Sequence, residues 1–173
     1  MNTATLLSRA ALEFPDRIAI AVGAQPQVSF GDLAVRVAAL AFGLKALSGA
    51  RPGDRVAIVA SNRPEYVEVL FACWWAGLVA VPINAKLHPK EVQHILGDSE
   101  ALAIFTCPKL KSTFDDIVLA NSLLIEMGSD AYAQLAGGMP APLAPCEPGA
   151  LAWLFYTSGT TGFPKGAMIP TAT

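Results

Sequence analysis

The sequence has few cysteines, few histidines and little charge, and each shortage excludes a class of protein. The 173 residues include 3 cysteines and 2 histidines, and only 15% of them are charged. Cys73, Cys107 and Cys146 are far apart and odd in number, so they provide neither a disulfide framework nor a Cys-x-x-Cys metal site. They favour a reducing compartment, and we predict a cytoplasmic protein. The net charge is −2, and no cluster of basic residues is present to attract a nucleic-acid backbone, so nucleic-acid binding is not predicted.

The sequence also has no uninterrupted apolar run long enough for a membrane span. The longest apolar stretch, residues 69–83, contains Gly77 and Pro82 and is shorter than the roughly 18 residues that a span needs. We therefore predict no integral membrane segment. His88 and His94 are six residues apart and do not share a helical face, so no metal site is predicted either.

Apolar segments of strand and helix character alternate along most of the chain, and 53% of the residues are hydrophobic. Four apolar segments are predicted as buried strands: residues 55–60, 79–83, 101–106 and 123–127. Helices are predicted between them. This alternation predicts an α/β fold with a doubly wound, largely parallel sheet and flanking helices.

Local signals give some of the element boundaries. Residues 3–14 predict a helix, residues 18–22 and 28–30 a hairpin, residues 109–118 a weaker helix, and residues 129–136 a short helix. Ser29 with Asp32 is a capping pair for a helix that follows the hairpin. Asn62 is predicted to cap a further helix, which has Pro64 in its first turn and ends at Gly77.

The proline and glycine content divides the chain into three predicted segments. Residues 1–136 form the wound α/β unit with its N-terminal helix and hairpin. Residues 137–149 contain four prolines and are predicted to be a surface linker. Residues 150–173 provide one more strand and a loop with the composition of a phosphate-binding site.

That last segment carries the chemistry. The apolar residues 151–156 predict a buried strand, and a loop of hydroxyls and glycines follows it before Lys165. Glycines bring backbone N–H groups close to an anion, and hydroxyl and ammonium groups are donors, so the loop suits a polyphosphate. Pro164 and Gly166 break the Walker A pattern, which disfavours a P-loop NTPase. A surface loop without a ligand is the alternative interpretation.

Residues 156–166, Tyr-Thr-Ser-Gly-Thr-Thr-Gly-Phe-Pro-Lys-Gly, resemble the phosphate-loop signature of the adenylate-forming superfamily. Residues 52–58 and 62–66 resemble the Gly-Asp-Arg-Val and Asn-x-Pro-Glu-Tyr blocks of its acyl-CoA synthetases. The resemblance implies an enzyme that joins a small carboxylic acid to ATP, with Mg²⁺, as an acyl-adenylate and then transfers the acyl group to CoA. It implies that ATP is bound by Thr157, Ser158, Gly159, Thr160, Thr161, Gly162 and Lys165.

The family usually continues well beyond the equivalent of Ile169, so the resemblance predicts an N-terminal fragment of an acyl-CoA synthetase. No catalytic residue is assigned within it, and the chain alone is predicted to be inactive. Its loop, residues 158–162, is expected to be mobile without a ligand. Two alternatives remain open. One is a non-catalytic module that self-associates into a homo-oligomer, and the other is an adenylation domain of the peptide-synthetase type.

Overall fold

The fold is described by a computed structural model, which covers residues 1–47, 49–117, 122–157 and 164–171. The α-helices of this part are α1 (Thr5–Glu13), α2 (Phe30–Ala46), α3 (Pro64–Ala76), α4 (Pro89–Ser99) and α5 (Asp130–Ala136). The strands are β1 (Ile18–Val22), β2 (Gln25–Ser29), β3 (Arg55–Val59), β4 (Val79–Ile83), β5 (Ala103–Thr106), β6 (Leu123–Glu126), β7 (Leu151–Thr157) and β8 (Lys165–Pro170).

Six of the strands form one sheet in the order β6-β5-β3-β4-β7-β8. All neighbours in it are parallel except β8, which runs antiparallel to β7. The remaining two strands, β1 and β2, form a separate antiparallel hairpin. The predicted α/β fold with a largely parallel sheet is therefore confirmed.

Helices cover both faces of the sheet, as a doubly wound fold requires. Helices α1, α2, α3 and α5 lie on one face, where the core includes Leu40, Leu44, Val69, Trp74 and Phe105. Helix α4 and a 3-10 helix (Pro108–Phe114) lie on the other face. The core there includes Val59, Ile83, Ile95, Leu96 and Ile104. Successive residues of each strand serve opposite cores, because side chains alternate across a strand.

Two predicted helix boundaries are confirmed and one is wrong. Ser29 is the N-cap of α2, and its hydroxyl accepts a hydrogen bond from the Asp32 amide at 3.2 Å. Gly77 ends α3 with a positive φ of 79°, which glycine adopts without strain. The predicted N-cap of α3 was Asn62, but the cap is Arg63. Pro64, at the first helical position, holds the residue before it in an extended conformation, so the helix begins one residue later.

The structure differs from the prediction in further elements. Strand β7 was predicted to be buried over residues 151–156, but Ala152 is its one buried residue, because the strand beside it, β8, is an exposed edge strand. Strand β2 begins at Gln25, three residues earlier than the apolar pattern indicated. The predicted helix over residues 109–118 is a 3-10 helix, Pro108–Phe114, and residue 118 lies outside the described residues. Strand β8 was not predicted at all, because its sequence, Lys-Gly-Ala-Met-Ile-Pro, begins inside the polar signature and all six residues are exposed.

The segment 137–149 contains no helix or strand but is tied to the helical layer. The Ala141 amide donates to the Ala38 carbonyl at 3.0 Å, and the Ala144 amide donates to the Trp75 carbonyl at 2.9 Å. The Trp75 indole in turn donates to the Ala141 carbonyl at 2.8 Å. The division into residues 1–136, 137–149 and 150–173 stays a prediction. Within the described part of the chain, no helix is long and apolar enough to span a bilayer.

Candidate functional site

The candidate site lies at the loop end of the β7–β8 hairpin. Strand β7 ends at Thr157 and strand β8 begins at Lys165, and these two residues are Cα partners in the antiparallel ladder. Both are exposed. Of the predicted ATP-binding residues, the structure therefore places Thr157 and Lys165 opposite each other. The other predicted site residues lie outside the described residues: Ser158, Gly159, Thr160, Thr161 and Gly162.

The position of the hairpin in the sheet is that of a ligand site. Strand β7 runs parallel to β4, with Ala80 opposite Trp153, so Thr157 lies at the carboxyl end of a parallel strand. Ligands of open α/β sheets bind at this edge. The loop expected to be mobile without a ligand, residues 158–162, lies outside the described residues, so its mobility stays a prediction.

A cleft of about 700 Å³ opens beside the end of β7. The residues that line it follow the carboxyl ends of β3 and β4 or belong to β7 and the start of α3. Its polar lining is Ser61, Asn62, Asn84 and Lys86, and its aromatic lining is Tyr66, Phe155 and Tyr156. The sequence prediction missed Ser61, Asn84 and Lys86. Their position in the sequence could have identified them, because each follows a buried parallel strand by one to three residues.

The charges near the hairpin favour an anion. Lys165 is exposed and forms no ion pair with any residue that the structure describes. Lys86 is exposed at the cleft, and none of the described residues that line the cleft is acidic. The hydroxyl of Thr157 and the two ammonium groups can all donate to phosphate oxygens. This donor set fits a polyphosphate better than it fits a cation.

The described residues contain no group of three His, Cys, Asp or Glu side chains that could hold a metal ion. Mg²⁺ is commonly bound by substrate phosphates and several waters, together with one or two protein carboxylates.

Two ion pairs lie at α3, the helix that contributes Tyr66 to the cleft. Arg63 and Glu65 form a bidentate pair, with both N···O distances at 2.8 Å. The hydrogen bond from Arg63 holds the pKa of Glu65 below its usual 4.5. The buried Glu68 accepts from Tyr132 at 2.7 Å and from Arg36 at 3.2 Å, which ties α3 to α5 and α2. Burial, and then the nearby Glu68 carboxylate, raise the pKa of Tyr132 far above its usual value.

Comparison with known proteins agrees with this geometry. The profile of the AMP-binding enzyme family matches residues 7–173. The chain is 41% identical over 143 residues to a feruloyl-CoA synthase of an Amycolatopsis species, covering 82% of this chain and 28% of that protein. It is 34% identical over 167 residues to an L-proline–[L-prolyl-carrier protein] ligase of Streptomyces coelicolor, covering 86% of this chain and 30% of that protein.

The fold matches a solved structure of a fatty acyl CoA synthetase from Mycobacterium tuberculosis with a TM-score of 0.84 and 26% identity. That match covers 98% of this chain and 34% of the synthetase. Fold and hairpin together define an α/β domain of the adenylate-forming ligases. The chain belongs to the AMP-binding enzyme family, and its relatives are acyl-CoA synthetases and other AMP-forming ligases. It corresponds to the N-terminal part of the family's domain and spans about a third of its relatives' length.

The family's reaction uses ATP and CoA, generally with Mg²⁺, and its substrates include an acid. The predicted family and fold class are therefore confirmed. The assignment of individual residues to ATP is not tested by these comparisons and stays a prediction.

Proposed function

We propose that the β7–β8 hairpin is the phosphate-binding element of an AMP-forming acyl-CoA synthetase. One observation carries the proposal: the hydroxyl residue Thr157 and the exposed Lys165 face each other at the carboxyl end of a parallel strand. In the complete reaction a carboxylate oxygen attacks the α-phosphorus of ATP, the bond to pyrophosphate breaks, and an acyl-adenylate forms. The thiol of CoA then attacks the acyl carbonyl, and AMP leaves.

The residues of this chain act on the leaving group. Thr157, with Ser158, Thr160 and Thr161, donates hydrogen bonds to the β- and γ-phosphates. Lys165 offsets the negative charge that builds up on pyrophosphate as the bond breaks, which stabilises the transition state more than the ground state. Gly159 and Gly162 allow the backbone to approach the phosphates closely. The family generally uses Mg²⁺, which would offset part of the negative charge on the phosphates that the hairpin holds.

For the acid substrate we propose only its chemical class, a carboxylic acid. The relatives' names include feruloyl, prolyl and fatty acyl groups, so the shared substrate feature is the carboxylate. A cytoplasmic location is part of the same proposal and rests on the cysteine usage. A peptide-synthetase type of adenylation domain is the second candidate within the family, and the match to the prolyl-carrier ligase favours it.

A candidate outside catalysis is self-association. All six residues of β8 are exposed, including Met168 at 75% and Ile169 at 38%, and Phe155 on β7 is exposed to 37%. Strand β8 is also an edge of the sheet, so its outward N–H and C=O groups are open to another strand. A homo-oligomer built on this edge would account for the exposed apolar side chains.

We further propose that the 173-residue chain does not complete adenylation. Catalysis must hold the carboxylate in line with the α-phosphate as well as stabilise pyrophosphate, and the hairpin performs only the second task. An ATP–pyrophosphate exchange assay over a broad panel of carboxylic acids checks this. We expect no exchange, and robust exchange would show that the site is more complete than proposed.

The phosphate role itself is tested by titrating the chain with Mg-pyrophosphate in low salt. Lys165→Ala removes one ammonium from the hairpin, and we expect affinity to fall by about tenfold to a hundredfold, since a charge-assisted contact contributes roughly 1.5–3 kcal/mol. Lys45→Ala is the matched control, because Lys45 is an exposed lysine in the last turn of α2. Equal weakening by both substitutions would mean that pyrophosphate responds only to the overall charge.

A further inference from the structure

The carboxyl-terminal half of β7 has a ladder partner on one side only. Among the described residues, Ala80 and Trp153 are the one Cα ladder pair that joins β4 to β7. From Leu154 to Thr157, the ladder pairs that the structure describes are all with β8, which is itself an edge strand. Leu154 and Tyr156 pack against the core under α4, but Thr157 and Lys165 are exposed at the end of the ladder. Contacts that hold Tyr156 therefore help to fix the residues that carry the proposed phosphate site.

A side-chain hydrogen bond ties this part of β7 to α4. The Tyr156 hydroxyl donates a hydrogen bond to Oδ2 of Asp98 at 2.6 Å. Asp98 lies in the last turn of α4, on the opposite side of β7 from α3. The distance lies at the short end of the range for O–H···O hydrogen bonds. Burial, followed by this hydrogen bond, raises the pKa of Tyr156 above its usual 10.0, although Arg55 acts in the other direction.

The tyrosine ring also depends on a glycine across the ladder. Gly166 is the Cα partner of Tyr156. A Cβ on Gly166 would lie 3.2 Å from Cζ of Tyr156 and 3.0 Å from Cδ1 of Leu154, which is closer than ordinary van der Waals contact. The missing side chain leaves room for the ring to cover the facing strand. Tyr156 and Gly166 thus form the ladder pair next to Thr157 and Lys165.

Asp98 does not have a core-packing role that would explain this contact. It is an exposed residue, and its helix is already anchored by the buried Val92, Ile95 and Leu96. The neighbouring acceptors are engaged elsewhere: Arg55 donates to the Ser99 carbonyl at 2.7 Å and to Glu100 at 3.0 Å. The Asp98 carboxylate is thus available to the tyrosine that precedes Thr157.

We propose that Asp98 is a positioning residue which, through Tyr156, fixes the β7–β8 hairpin and so holds Thr157 opposite Lys165. Its relevance to phosphate binding rests on the proposed function, but the positioning of the hairpin does not. Asp98 touches no substrate in this scheme. Its effect on binding comes entirely from the ladder between the two strands.

Amide hydrogen exchange of the chain tests the positioning directly, at Tyr156 and Thr157 on β7 and at Lys165 to Ala167 on β8. Asp98→Ala removes the acceptor, and exchange at these amides should become about tenfold faster, the factor for one lost hydrogen bond. Tyr156→Phe removes the donor and should do the same. The double variant should exchange no faster than either single variant, because both break the same contact.

Two further variants separate positioning from a general effect on α4. Asp98→Asn keeps an acceptor oxygen and should recover much of the protection. Glu100→Gln removes a charge two residues away, from a side chain bonded to Arg55, and should leave the ladder unchanged. In Asp98→Ala the pKa of Tyr156 should fall toward that of an ordinary tyrosine, measured by ultraviolet titration. Unchanged exchange in Asp98→Ala, or equal acceleration by Glu100→Gln, would overturn the proposal.

Mg-pyrophosphate titration of the same variants distinguishes the two proposals. If both hold, Asp98→Ala weakens binding by about threefold to tenfold while Glu100→Gln does not, as expected for loss of one indirect hydrogen bond. If the ladder loosens but the unmodified chain binds no pyrophosphate, Asp98 positions the hairpin and the phosphate role is wrong. If pyrophosphate binds, and Asp98→Ala changes neither the amide exchange rates of the ladder nor the affinity for pyrophosphate, the phosphate role stands and the positioning role is wrong.

Discussion

Tyr132→Phe is the substitution whose cost can be worked out most directly from the structure. The Tyr132 hydroxyl donates to Glu68 at 2.7 Å, and the Glu68 side chain is 6% exposed. Removing the hydroxyl leaves a buried carboxylate with Arg36 as its one remaining side-chain donor among the described residues. A hydrogen bond to a charged group contributes about 1.5–3 kcal/mol to stability, and the lost donor cannot be replaced by water in so closed a site.

The free energy of unfolding should therefore fall by about 1.5–3 kcal/mol, and the melting temperature by about 3–12 °C for a chain of this size. Urea denaturation followed by tryptophan fluorescence measures the change, because Trp74 and Trp75 lie in the same core. Tyr66→Phe is the matched control. Tyr66 is half-buried on α3, the helix that carries Glu68, and removing its hydroxyl should cost less than about 0.5 kcal/mol. Equal losses for the two variants would refute the reasoning.

Two other substitutions test the charges and the exposed edge. The Arg63 hydrogen bond lowers the pKa of Glu65, so the pair stabilises the fold fully above pH 4.5 and loses that contribution as pH falls through the lowered pKa. Glu65→Gln should remove this part of the acid sensitivity, less than about 1 kcal/mol for a pair that is partly open to solvent, while an unchanged acid profile in urea denaturation would contradict it. Met168→Lys places a charge on β8 and should reduce self-association in light scattering; a scattering mass equal to that of the unmodified chain would exclude this edge.

The sequence predicted the buried parallel strands well, because long apolar runs between Gly and Pro turns leave few alternatives. Strand β4 has the predicted bounds, Val79–Ile83, and α3 ends at the predicted Gly77. Strand β8 was missed for a physical reason. Its residues are all exposed and its first two belong to a polar motif, so it shows neither a buried run nor an alternation.

The candidate site was predictable in composition but not in geometry. The signature named Thr157 and Lys165, yet their facing positions depend on the β7–β8 ladder, a tertiary pairing without a local signal. Asp98 could not have been predicted as part of the site. It lies 58 residues from Tyr156 in the chain, and aspartate is a common residue on the exposed faces of helices.

The most direct test of the central claim is to map where pyrophosphate binds on this chain. Mg-pyrophosphate is titrated into isotopically labelled protein, and the amide chemical shifts are followed residue by residue. The account predicts that the largest saturable changes occur at Thr157 and at Lys165 to Ala167, and that Lys165→Ala reduces them. Changes centred instead on the cavity at the opposite end of the sheet, beside Pro52, Gly77 and Glu147, would contradict a phosphate role for the hairpin.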